Sequence, residues 1–140
     1  MKRLDFMIIP ALICGLLLTS CGSDKSETEP ISRLQGTKWK LEGIVDIQTS
    51  TLKELEPKNC DKCYTFVFDT DTTARGYTCV NAMYIGGLNP IVIGGTKIYE
   101  TGDAGICFDA LFSVKSYTFD GKELKLFFDN NNNYLLYKPF

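Results

Sequence analysis

Val114-Lys115-Ser116-Tyr117-Thr118-Phe119-Asp120-Gly121-Lys122-Glu123-Leu124-Lys125-Leu126-Phe127-Phe128-Asp129-Asn130-Asn131-Asn132-Asn133-Tyr134-Leu135-Leu136-Tyr137 nearly completes the chain and reads as an antiparallel meander of three strands. Val114 to Phe119 is rich in residues that favour a pleated strand. Asp120-Gly121 at the centre of a two-residue turn is a strong hairpin signal. Glu123 to Phe128 returns with Leu124, Leu126 and Phe128 on one face, the period-2 pattern of a half-buried strand. Asp129 to Asn133 is a run of residues that tolerate positive φ. Tyr134 to Tyr137 supplies the third strand.

The same alternation recurs upstream. In Leu34-Gln35-Gly36-Thr37-Lys38-Trp39-Lys40-Leu41 and its continuation, Trp39, Leu41, Gly43 and Val45 fall on one face. Lys38, Lys40 and Glu42 fall on the other. Thr51 to Glu56 predicts one helical turn, stopped by Pro57. Tyr64 to Phe68 is a strand with Tyr64, Phe66 and Phe68 on one face, Asp69 to Thr73 a turn, and Ala74 to Val80 the returning strand. Tyr84 to Tyr99 reads as one or two short strands bent at Gly86-Gly87 and Gly94-Gly95. Glu100 to Ala104 is a loop and Cys107 to Phe112 a short helical turn. Seven or eight short strands with almost no helix predict an all-β fold over residues 31–140, a small antiparallel β-barrel or sandwich with a short helical turn.

The N-terminus follows a different logic. Lys2 and Arg3 form a basic start, interrupted by Asp5, and Phe6 to Leu18 carries no charge. That stretch fits the apolar region of a signal peptide and is short for a membrane span, which needs about 20 residues. Residues 1–20 are therefore expected to be a removable signal peptide. Its end, Leu18-Thr19-Ser20-Cys21-Gly22, resembles the lipobox of bacterial lipoproteins, an aliphatic residue and two small ones before a cysteine. The resemblance implies a diacylglycerol thioether on Cys21, cleavage before it, and acylation of the new amine, with palmitate-type chains. Three acyl chains at about 0.8 kcal/mol per buried CH₂ make such an anchor effectively permanent. Residues 21–30 continue without periodicity as a polar, flexible tether between lipid and domain.

The chain carries a formal net charge of −2 and no basic stripe, so no nucleic-acid partner is expected. Four cysteines remain beyond Cys21: Cys60, Cys63, Cys79 and Cys107. An even number in an exported chain points to two disulfides. Cys60-Asp61-Lys62-Cys63 sits in a loop that can bend into a small ring, which leaves Cys79 to pair with Cys107. A competing arrangement links the C-x₂-C loop to both distant cysteines. Zinc would need a second close pair or histidines, and the chain has no histidine. No βαβ pattern surrounds the C-x₂-C to suggest a thioredoxin-like role.

The absence of histidine removes Ser-His-Asp and Cys-His catalysis. Asp69-Thr70-Asp71 begins like a calcium loop, but Ala74 stands where glycine is needed and Val80 where the bidentate glutamate belongs. The glycine pairs lack the G-K-[ST] and following helix of a phosphate loop. Carboxylates for glycosidase chemistry would have to come from Glu100, Asp103 or Asp109, all in or near polar loops. No catalytic residue, metal or cofactor is expected. Aromatic residues are the surplus: Tyr77, Tyr84, Tyr99, Tyr117 and Phe127 exceed what one small interior holds, so some should line a cavity or surface patch.

Gly36-Thr37-Lys38-Trp39-Lys40-Leu41, shortly after a lipobox and tether, resembles the first strand of META-domain lipoproteins. Tyr117-Thr118-Phe119, Leu124-Lys125-Leu126 and Tyr134-Leu135-Leu136-Tyr137 resemble the last hairpin of that family. They also resemble lipocalin-like lipoproteins of Bacteroidetes. The resemblance implies a compact antiparallel barrel and brings no enzymatic activity. Together these features predict a lipid-anchored, non-catalytic outer-membrane module. It would hold a protein or a small apolar ligand on its surface or in the barrel mouth. The alternative is a structural or stress-related envelope lipoprotein with no dedicated ligand.

Overall fold

The computed structural model describes residues 31–140. The expected signal peptide of residues 1–20, the expected lipid site at Cys21 and the expected tether of residues 21–30 lie outside them. Nine strands and one helix follow in the order β1 (Lys38–Asp46), β2 (Thr51–Lys53), β3 (Thr65–Phe68), β4 (Ala74–Tyr77), β5 (Ala82–Leu88), β6 (Ile91–Gly95), α1 (Gly102–Phe112), β7 (Ser116–Phe119), β8 (Leu124–Phe128) and β9 (Asn133–Pro139). All strands join one antiparallel sheet in the order β6-β5-β4-β3-β1-β9-β8-β7, with β2 attached to β1. The sheet curls into a nearly closed barrel. The last strand returns to pair with the first, Leu41 opposite Tyr137 and Val45 opposite Tyr134.

β1 forms for the reason its alternation gives. Trp39 and Leu41 face the core while Lys38 and Glu42 stand in solvent, but beyond Leu41 the expected face is not kept: Ile44, opposite Leu135, packs on the core, and Val45 lies opposite Tyr134 on the other side. A bulge between Leu41 and Gly43 bends the strand. At Gly43 a Cβ would lie 2.3 Å from the Lys53 carbonyl oxygen, so only glycine lets β2 approach. β2 replaces the helical turn expected at Thr51 to Glu56. The Asp46 carboxylate accepts the amides of Gln48 and Thr49, and Ser50 takes φ 54°. This tight turn sends the chain straight back along β1, where ladder bonds are available and helical ones are not.

The C-terminal meander is β7-β8-β9, with Phe119 opposite Leu124 and Leu126 opposite Leu135. Its first turn is shifted by one residue from the expected centre. Asp120 N–H donates to the Glu123 carbonyl, so Gly121 and Lys122 form the two-residue tip, with Gly121 at φ 86°. The Asp120 carboxylate accepts the amides of Lys122 and Glu123, which is why aspartate belongs at the residue before the tip. In the second turn Asp129, Asn130 and Asn131 all take positive φ, as their composition suggested.

The helix also exceeds its sequence signal, running eleven residues from Gly102 where only Cys107 to Phe112 was expected. Gly102 has φ 61°, a sharp entry that glycine permits at no steric cost. α1 turns Cys107, Ala110 and Leu111 inward and packs against β6 and β8. Trp39, Phe66, Phe68, Ile85, Leu111, Leu124, Leu126, Leu135 and Tyr137 are fully buried and fill the barrel interior. The Trp39 ring meets Phe119 edge to face at 5.7 Å, and Phe66 tilts against Tyr137 at 5.5 Å. Side chains thus fill the interior of the barrel.

Candidate functional site

Concavity is found on the outside of the sheet. The outer faces of β3 to β6 form a groove of about 670 Å³ lined by Thr65, Val67, Arg75, Tyr77, Ala82 and Tyr84, with Thr96 at its end. The register explains the composition. One row across the strands reads Val67, Arg75, Tyr84, Gly94; the next reads Thr65, Tyr77, Ala82. Ala74, Met83 and Ile85 face the core instead, so the groove residues occupy alternate positions, as the pleat requires. Tyr77 and Tyr84 are 49 % and 51 % exposed, unusual for large rings side by side on a sheet.

The glycine pairs, read from sequence only as bends, divide the work here. Gly86-Gly87 does mark a register shift between β5 and β6. Gly94 does something else. A Cβ at that position would lie 2.3 Å from both Cζ and Oη of Tyr84, so the tyrosine ring rests on the bare backbone of β6.

Arg75 is the only charged residue lining the groove. Its Nε and Nη2 donate to the two carboxylate oxygens of Asp69 at 2.8 and 2.7 Å. These bonds hold the Asp69 carboxyl below its ordinary range and raise Arg75 further. The groove therefore presents aromatic rings, phenol hydroxyls and a compensated guanidinium. Sequence reading placed Tyr77 and Tyr84 in the aromatic surplus and missed Arg75 and Gly94. The available signal was the alternation in Ala74-Arg75-Gly76-Tyr77 and Ala82-Met83-Tyr84, which sets Arg75 and the two tyrosines on one face.

A second concavity, about 650 Å³, lies where Ser32 to Leu34 cross beside Leu88 and Tyr117 to Phe119. Ile31 N–H bonds the Gly121 carbonyl there, and Gln35 N–H bonds Asp71. These contacts fix the start of the domain. Tyr99 is 87 % exposed beside the half-exposed Ile98, away from the groove lining.

The candidate carboxylates have separate partners. Glu100 accepts hydrogen bonds from Thr78 Oγ1 at 2.6 Å, the amides of Cys79 and Val80 at 2.9 and 2.7 Å, and Asn81 Nδ2 at 2.8 Å. Burial pushes its carboxyl up, and the four donors together bring it below the usual glutamate value. Asp103 accepts the Glu56 amide and pairs with Lys53 at 3.1 Å, which keeps its carboxyl low. Asp109 stands exposed on α1. Glu100 and Asp103 are thus engaged in holding loops, while Glu100 and Asp109 border one concavity of about 260 Å³ with Lys97, Tyr99 and Phe108.

Cys60 and Cys63 are joined, with S–S 2.06 Å and Cα–Cα 5.3 Å. The expected bridge between Cys79 and Cys107 requires correction. Among the described residues both are free thiols, Cys79 half-buried and Cys107 fully buried. Each has a phenol as its neighbour: Tyr64 stands beside Cys79, and Tyr137 beside Cys107. Burial drives the Cys107 thiol well above its ordinary pKa, with the Glu100 charge adding to the shift. The Tyr137 hydroxyl is wholly buried with no hydrogen-bond partner among the described residues, and its pKa rises for the same reason. The Cys107 thiol is an unreactive side chain of the core.

No family model matches the chain. It is similar to a protein of Tannerella forsythia bearing the name "Putative lipoprotein", 38 % identical over 141 residues that span 99 % of this chain and 97 % of that protein. Among solved structures it resembles the crystal structure of a DUF4847 family protein from Bacteroides vulgatus. The TM-score is 0.53 at 13 % identity, with 75 % of this chain and 93 % of that one covered. At that identity the likeness speaks to the fold: an antiparallel, barrel-like sheet.

Proposed function

This chain belongs to the family of the Tannerella forsythia lipoprotein, and on that premise we propose that it is a lipid-anchored, non-catalytic binding module of the outer membrane. Its anchor is the lipid on Cys21, and its binding face is the groove on β3 to β6. The observation that carries the binding face is the contrast between a filled interior and an open, tyrosine-walled groove of about 670 Å³. That volume lies within the range of small-molecule sites, roughly 300–1,000 Å³. The lipobox Leu18-Thr19-Ser20-Cys21 supports the anchor. The META-domain and lipocalin-like resemblance of the first strand and last hairpin supports a compact antiparallel barrel.

Two measurements test this reading. Cys21→Ala is expected to shift the protein out of the membrane fraction or to block its processing. Unchanged fractionation with unchanged processing would remove the anchor. For the binding face, small neutral and apolar fragments are titrated into the mature chain in neutral detergent while backbone amide shifts are followed. Perturbations are expected to cluster at Tyr77, Ala82, Tyr84 and Gly94. Shifts that concentrate elsewhere, or none with any fragment, would overturn the groove as the binding face.

A further inference from the structure

We propose that the groove takes a neutral saccharide, one sugar ring stacking on the exposed face of Tyr84, with Gly94 as the residue that positions this platform. The proposal rests on the β3 to β6 groove being the binding face and names the ligand class for it.

The platform is built. A tyrosine on a sheet surface ordinarily stands out from the pleat, with both ring faces in solvent. Tyr84 cannot be laid down unless its cross-strand neighbour lacks a side chain, and that neighbour is Gly94. A Cβ there would overlap Cζ and Oη at 2.3 Å. Gly86, two residues along β5, leaves room at the ring's other edge, where an added Cβ would make ordinary contact with Cε2 at 3.8 Å. The ring is thus held before any ligand arrives, which lowers the ordering cost of binding. Tyr77 stands diagonally across from it, opposite Ala82 on the neighbouring strand. The small Ala82 of the lining leaves a shallow slot beside the two rings.

The chemistry of the lining selects the ligand. The aromatic face carries negative electrostatic potential and attracts polarised C–H bonds, which a sugar ring presents on its flat side. The hydroxyls at the ring's rim find the phenol hydroxyls and the guanidinium N–H groups that Asp69 leaves unused. Phosphate or carboxylate recognition calls for an unpaired cation, and the single arginine of the groove is already bound by two hydrogen bonds to Asp69.

Affinity electrophoresis of the mature chain in neutral detergent provides the test. The gels contain starch, xylan, mannan or a mixed-linkage β-glucan, with polygalacturonate as the anionic control. At least one neutral polysaccharide should retard the protein, and polygalacturonate should not. Tyr84→Ala should weaken the retardation about tenfold, the order expected when a stacking partner is lost. Gly94→Val should weaken it comparably by lifting the ring, and Tyr84→Phe by only a few-fold. Because Gly94→Val alters a strand, Tyr84→Ala is the deciding variant, read alongside an unchanged thermal melt. Retardation by no neutral polysaccharide, by polygalacturonate alone, or to the same degree in Tyr84→Ala would overturn the saccharide proposal. If fragments still perturb the groove amides in that case, the binding face stands and only the ligand class falls.

Discussion

Trp39→Ala is expected to lower the stability of the domain by about 3–5 kcal/mol, the range for truncating a large buried aromatic residue. Trp39 is 0 % exposed at the heart of β1, the strand that pairs with β2, β3 and β9. Its loss removes the edge-to-face contact with Phe119 of β7 and so loosens the two halves of the sheet together. It also removes the indole N–H that donates to Thr37 Oγ1 at 2.7 Å, a hydroxyl that in turn donates to the Leu34 carbonyl. That small chain of bonds holds the segment leading into β1. Trp39→Phe keeps most of the packing and loses the hydrogen bond, so it should cost clearly less. Urea melts of the two variants decide the matter. A loss below about 1 kcal/mol for the alanine variant, the size of an average substitution, would show that the inward face of β1 does not carry the core.

The strands were legible wherever alternation was clean. The start of β1 and the hairpin of β7 and β8 could be read because more and less buried residues alternate along them, and the turns around β8 because Asp, Asn and Gly mark them; β9, which buries Leu135, Leu136 and Tyr137 in succession, was read from its apolar run. Three features were not legible, each for a physical reason. β2 has no buried residue, so its three residues carry no pattern, and pairing with β1 alone makes it a strand. α1 begins at Gly102-Asp103-Ala104-Gly105, where two glycines argue against helix by local propensity. Tertiary packing of Cys107, Ala110 and Leu111 overrides that preference. Gly94 looked like a bend because glycine in a strand usually marks one, whereas its use is set by a tyrosine ten residues earlier on the partner strand. The same limit applies to Cys79 and Cys107. Parity suggested a bond, but parity carries no information on side-chain geometry, and both thiols are free.

Glu100 shows how a residue that resembled a catalytic candidate serves the fold. The turn from Thr78 to Asn81 joins β4 to β5, the two strands that carry Tyr77 and Tyr84. Thr78 and Asn81 are fully buried polar residues, and the Glu100 carboxylate gathers four donors from this turn. Asn81 is held from its other end too, its carbonyl oxygen accepting the Ile98 amide at 2.7 Å and the Thr96 hydroxyl at 3.0 Å. Glu100→Gln replaces an acceptor of four bonds by an amide whose own N–H₂ must face donors. The expected loss at pH 7 is about 2–3 kcal/mol, the scale of hydrogen bonds to a charged group in a partly buried site. The loss should depend on pH in a defined sense. The Glu100 carboxyl titrates below its unfolded value of about 4.5, so its contribution is fully present above that pH and disappears as pH falls through the lower, folded pKa. The gap in stability between wild type and Glu100→Gln should therefore be constant from pH 7 to about 5 and shrink on further acidification. Denaturant melts at pH 7, 5 and 3.5 measure it. A gap under about 0.5 kcal/mol at pH 7, or one that stays the same at pH 3.5, would mean that the carboxylate charge does not hold the turn.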